Sequence, residues 1–199
     1  MRRYIYFVFL LCCAVNLLLT SCVRQKYVVM DMVHHNPGEA MTESKFLDPS
    51  FLKKNEYGAK VFFLFEAAQF GIDWKSFDPS LFPDTTEAGR WVAEKAEIIH
   101  KKYDAAKKED LQVYCMLDML VLPSLLVEKH RTELTNEQGK LDISKPYTQL
   151  CIRELMKEMF ETFPQLDGLV IRTGETYLHD APYYLSLIHI SEPTRLRCI

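Results

Sequence analysis

The sequence predicts an α/β fold, the N-terminal half of a (β/α)8 TIM barrel (about four βα units) preceded by a signal peptide. Three observations predict it. Four short apolar runs rich in β-branched residues are near-continuous rather than alternating, as expected of strands buried on both faces. Segments with helical periodicity lie between them, and strand–helix–strand alternation implies right-handed crossovers and a parallel sheet. Four such units suit either an open doubly wound sheet or half a barrel. Nothing after the fourth run closes the fold, and no glycine-rich phosphate loop follows the first, so half a barrel is favoured.

The elements follow in chain order. Arg2 and Arg3 form a basic head, an almost wholly apolar stretch runs from Tyr4 to Leu19, and Leu19-Thr20-Ser21-Cys22 closes it with small residues before a cysteine. That is the order of an export signal, and the apolar run is shorter than the about 20 residues a membrane span needs. The Leu-Thr-Ser-Cys ending resembles a bacterial lipobox, which implies cleavage before Cys22 and lipid on its sulfur, an anchor at a membrane without a spanning segment. The expected division is 1–21 signal peptide, 22–184 partial barrel and 185–199 tail.

The four strand runs extend from Val28 to Val33, Val61 to Phe65, Val113 to Leu117 and Leu169 to Arg172. Asp48-Pro49 starts a short helix that ends near Gly58, read as a C′ glycine. From Thr86 to Lys108, Trp91, Ile98, Ile99 and Tyr103 keep helical spacing among charges. From Tyr147 to Phe163 the residues Ile152, Leu155, Met156, Met159, Phe160 and Phe163 form one stripe, read as core packing on a sheet. Beyond Tyr184, Leu185 to Arg195 resembles the translation of a transposase adapter used to prepare sequencing libraries, and such residues are left out of fold reasoning. Half a barrel leaves two unpaired strand edges, so poor stability is expected of it.

Charge narrows the function. The leader holds two basic residues, and the tail two basic residues and Glu192. Of the 24 Lys+Arg and 27 Asp+Glu of the whole chain, the segment between therefore keeps 20 and 26, a net charge of −6. A nucleic-acid partner calls for a basic face, so none is expected. Cys115 and Cys151 lie in apolar periodic segments and read as buried free thiols rather than a disulfide or metal site. No cofactor is implied.

In βα barrels the active site gathers where strands end and βα loops begin. Those places hold His34, His35, Asn36, Pro37, Gly38 and Glu39 after the first run, and Glu66, Gln69, Phe70 and Trp74 after the second. Asp118 ends the third, and the fourth continues as Arg172-Thr173-Gly174-Glu175-Thr176-Tyr177-Leu178-His179-Asp180. Polar groups beside aromatic rings suit a carbohydrate, whose hydroxyls need paired donors and acceptors while its C–H faces stack on rings. Candidate substrate contacts are His34, His35, Asn36, Glu39, Glu66, Gln69, Trp74, Asp118, Arg172, Tyr177 and His179.

The segments Asp31-Met32-Val33-His34-His35-Asn36-Pro37-Gly38-Glu39, Leu64-Phe65-Glu66-Ala67-Ala68-Gln69-Phe70 and Asp167-Gly168-Leu169-Val170-Ile171-Arg172-Thr173-Gly174-Glu175-Thr176-Tyr177 resemble glycoside-hydrolase-type barrel lipoproteins of polysaccharide-degrading gut bacteria. The likeness covers roughly Tyr27 to Tyr184. In the large barrel clan of retaining glycosidases the general acid/base is a glutamate ending strand four. The resemblance places Glu175 there, with Gly174 standing where that clan commonly has asparagine. It implies that a protonated Glu175 donates to the glycosidic oxygen. A second carboxylate late in the barrel attacks from about 5 Å or activates water from farther away. That partner would fall beyond Tyr184, so no glycosidase turnover is expected of this stretch by itself.

Other readings stand beside these. Glu175 could instead pair with Arg172. His34 and His35 are adjacent on a strand and point to opposite faces, which suits a sugar contact better than one shared metal ion. Asp118 and Glu66 either line a pocket or cap the segment that follows, and Trp74 and Tyr177 either stack on sugar or pack over a barrel end. The lysines from Lys101 to Lys108 read as a solvated helix face. Two further functions compete with the hydrolase: a carbohydrate-binding lipoprotein without turnover, and a metal-dependent barrel hydrolase using His34, Asp118 and Glu175.

Overall fold

The computed structural model describes residues 28–31, 44–63, 66–117 and 121–172. In chain order these form β1 (Met30–Asp31), α1 (Pro49–Lys54), β2 (Ala59–Phe62), α2 (Glu87–Lys108), β3 (Gln112–Leu117), α3 (Ser124–Lys129), α4 (Arg131–Leu134), α5 (Pro146–Thr162) and β4 (Gly168–Ile171). Single 3₁₀ turns occupy Lys45–Leu47 and Ala68–Phe70.

All three strand pairings are parallel, and the sheet order β1-β2-β3-β4 follows the chain. Each crossover thus steps one strand farther in the same direction. Right-handed crossovers that always step the same way put their helices on one face of the sheet. The packing agrees. Phe62, Val113, Cys115 and Leu117 share a core with Ile99 and Tyr103 of α2 and with Leu155 and Met159 of α5. The alternate side chains Met30, Val61, Phe63, Tyr114, Met116 and Val170 form a separate cluster on the opposite face, to which no described helix contributes. A doubly wound sheet reverses its order at a switch point; among the described residues this one does not. It is a singly wound α/β sheet, compatible with part of a βα barrel.

Local chemistry explains the helix starts. Asp48 caps α1 by accepting from the Ser50 N–H at 2.9 Å, and Pro49 takes the first helical position. Thr86 caps α2 through a bond from the Gly89 N–H at 3.0 Å. Gly89 must lack a side chain, since a Cβ there would lie 2.1 Å from the Pro83 carbonyl oxygen. α5 begins with Pro146, whose missing N–H costs nothing at a helix start.

Three sequence expectations need adjusting. Gly58 does not terminate α1. The left-handed residue is Glu56 (φ 64°), while Gly58 already belongs to the sheet, donating to Val29 and accepting from Gln112. The α5 stripe is rotated by about one residue: Cys151, Leu155, Met159 and Glu158 are buried, whereas Phe160 is exposed. Glu158 is drawn inward because its Oε1 accepts a hydrogen bond from the Ser76 hydroxyl. On α2, Trp91 stands outside and Val92 takes the inner position. The short helices α3 and α4, which follow Pro123, were not anticipated; at six and four residues they are too brief to display a period.

Candidate functional site

Parallel strands wound in one direction present all their C-terminal ends along one rim. Among the sequence candidates, His34, His35, Asn36, Glu39, Asp118, Glu175, Tyr177 and His179 lie outside the described residues, as do Cys22 and the tail. Glu66, Gln69, Trp74 and Arg172 are described.

Arg172 directly follows β4, and its backbone N–H extends the ladder by donating to the Leu117 carbonyl at 3.0 Å. This places it at the rim, next to the end of β3. Glu66 goes elsewhere. Its carboxylate is ion-paired to Lys102 of α2, and its carbonyl accepts from the Tyr103 hydroxyl at 3.0 Å. Ala67 and Ala68, both fully buried, then pack into the helix-side core. After β2 the chain therefore turns outward into the helix layer, and the Glu66 carboxylate is engaged there.

Beside Glu66 lies a buried ion pair. Lys60 Nζ is 3.3 Å from Asp31 Oδ2 and donates to the Phe46 carbonyl at 2.6 Å. Burial pushes the Lys60 ammonium below its ordinary pKa, and the Asp31 carboxylate opposes that shift. Lys60, Glu66 and Lys102 border a small cavity of about 90 Å³. The pair ties β1 to β2 at a place where the sequence suggested only a strand, because nothing in a linear reading brings Asp31 next to Lys60.

Gln69 and Trp74 meet at a larger cavity of about 340 Å³. The β2–α2 connection supplies these two together with Phe70 and Phe82; α2 adds Ala88 and Trp91, and Leu155 of α5 forms part of the wall. Trp74 is 2 % exposed with a left-handed backbone (φ 57°), packed edge-on against Phe77. Trp91, 42 % exposed, stands at the lip. Among the described lining residues the amide of Gln69 supplies the one side-chain acceptor, beside the indole N–H donors of Trp74 and Trp91, and the Gln69 Oε1 is buried without a hydrogen-bond partner. The lining is apolar, so it offers a sugar few of the paired donors and acceptors its hydroxyls require.

A second polar cluster escaped the sequence reading. Asp78 Oδ1 accepts from the Ser80 N–H (3.0 Å) and hydroxyl (2.7 Å), and Oδ2 is bound by Lys129, with His130 Nε2 3.8 Å away. Hydrogen bonds from Lys129 and Ser80 hold the Asp78 carboxyl well below the usual carboxylate range. The Asp78-Pro79-Ser80 string is a turn signal that could have flagged the loop, but its partner on α3 is known only from the fold. The cluster latches the β2–α2 connection to α3.

The two thiols behave as the sequence suggests. Cys115 and Cys151 are buried and free, and burial pushes each pKa up to about 11. Among the described residues, no group of three His, Cys, Asp or Glu side chains could hold a metal ion, and no helix is long and apolar enough to cross a membrane.

Fold and site together define an α/β protein with a singly wound parallel sheet whose strand ends share one rim. The chain matches no protein-family model, no curated protein and no solved structure.

Proposed function

We propose that the protein is part of a glycoside-hydrolase-like (β/α)-barrel enzyme, exported as a lipoprotein through Cys22 and acting on a complex polysaccharide or oligosaccharide. The observation that supports this best is the strand order β1-β2-β3-β4 with every described helix on one face. This winding lines up the ends of the described strands, where Arg172 follows β4, and in this reading the segments carrying His34, Asp118 and Glu175 join the same rim. Glu175 is the general acid/base in this reading, and His34, His35, Asn36, Glu39, Asp118, Arg172, Tyr177 and His179 contact the sugar. Glu66, Gln69 and Trp74 support the rim from the helix layer.

The test uses a form of the protein that also carries a late-strand carboxylate, assayed on a polysaccharide panel. Glu175→Gln should lower kcat by roughly 10²–10⁴, the usual worth of a general acid/base, without loss of substrate affinity. Unchanged turnover in that variant would remove Glu175 from the chemistry. Affinity for glycans with no turnover in the unmodified protein would point to a carbohydrate-binding lipoprotein instead. Cys22→Ser should move the protein from the detergent phase to the aqueous phase after extraction from cells.

A further inference from the structure

We propose that the cavity between the β2–α2 connection, α2 and α5 is a binding site for a small neutral phenolic molecule: one aromatic ring carrying one hydroxyl. The inference does not rest on the carbohydrate reading.

Four aromatic side chains, Phe70, Trp74, Phe82 and Trp91, surround the space, and aromatic walls favour a flat ring through offset or edge-on contact. At about 340 Å³ the cavity lies within the roughly 300–1,000 Å³ range of small-molecule pockets. Trp91 at the lip gives access: it is 42 % exposed, whereas Trp74 behind it is 2 % exposed. The polar requirement is equally narrow. Among the described lining residues Gln69 carries the one side-chain acceptor, the indole N–H groups of Trp74 and Trp91 being donors only, and the Gln69 Oε1 is buried without a hydrogen-bond partner. A side-chain amide turned about its terminal torsion presents either a donor or an acceptor, so one ligand hydroxyl can pair with it. A sugar would bring several hydroxyls to a wall whose described side chains offer one acceptor.

The chain has two tryptophans, Trp74 and Trp91, and both line this cavity. Tryptophan emission therefore reports on the site alone. The probes are para-fluorophenol and para-fluorotoluene, followed by tryptophan emission and fluorine NMR. Both should bind saturably, displace each other and be unaffected by added oligosaccharide. Gln69→Leu should weaken para-fluorophenol about two- to tenfold, the worth of one hydrogen bond, and leave para-fluorotoluene unchanged. Ala88→Leu, which projects side-chain volume into the space, should abolish binding of both. A linear, non-saturating response to both probes in the unmodified chain overturns the proposal, as does undiminished binding in Ala88→Leu. Should that variant fail to fold, mutual displacement in the unmodified chain decides: competition supports one site, and independent binding overturns it. Equal weakening of both probes by Gln69→Leu would overturn the role assigned to the amide.

Discussion

Lys60 shows how one residue can govern the pH response of the fold. It is a strand residue with an ammonium group buried beside Asp31. Removing one member of a buried pair leaves the other charge without its main compensation, so Lys60→Met should cost about 3 kcal/mol or more. Because burial lowers the folded-state pKa below 10.5, the unfolded chain binds more protons in the window between the folded pKa and 10.5. Stability contributed by this group therefore rises with pH across that window. Denaturant titrations of the unmodified and Lys60→Met chains, repeated over that range, should show the difference between the two growing with pH if Asp31 stays charged throughout; a constant difference would mean the lysine is not desolvated. The residue scale is also where the sequence was least legible. The expected strand begins at Val61, so Lys60 falls just outside it, and the 29-residue separation from Asp31 hides their contact.

At the scale of elements, capping made the helices readable. Thr86 and Asp48 are N-cap residue types, Pro49 and Pro146 suit first positions, and α2 and α5 lie within one residue of their expected bounds, while α1 stops at Lys54, short of Gly58. Thr86→Ala should destabilise the chain by about 1 kcal/mol through the lost cap. Gly89→Ala should cost more, about 1–3 kcal/mol, since its Cβ would meet backbone rather than a movable side chain. Thermal melts of the two variants decide the point: a Gly89→Ala chain as stable as Thr86→Ala would mean that the Phe82–Pro83 turn yields freely. What periodicity could not set was the centre of each buried arc. On α5 a Ser76 hydroxyl recruits Glu158 inward, and on α2 Val92 displaces Trp91 from the core, because neighbouring elements decide which side of an arc meets protein.

Across the whole molecule, winding direction governs stability. Among the described residues β2 and β3 are paired on both sides, with helices on one face and the second cluster on the other, while β1 and β4 pair on one side. Among the described residues the exposed large hydrophobics include Val28 and Val29 just before β1 and Ile171 of β4. Native-state hydrogen exchange should therefore find the slowest amides in β2 and β3 and faster ones in β1 and β4. Equal protection across all four strands would indicate that the outer edges are covered by further pairing.

Strand number, parallel pairing and the places of α1, α2 and α5 were determined by the sequence itself, because period and capping are local properties of the chain. The apolar runs, the proline and threonine helix starts and the buried thiols could all be read in order. Tertiary structure alone decided that the winding does not reverse among the described residues, that Glu66 is taken up by Lys102, and that Gln69 and Trp74 share a wall with Trp91 and Leu155. Those facts depend on contacts between residues far apart in sequence. Such contacts are selected by the packing of whole elements against one another, which no local pattern encodes.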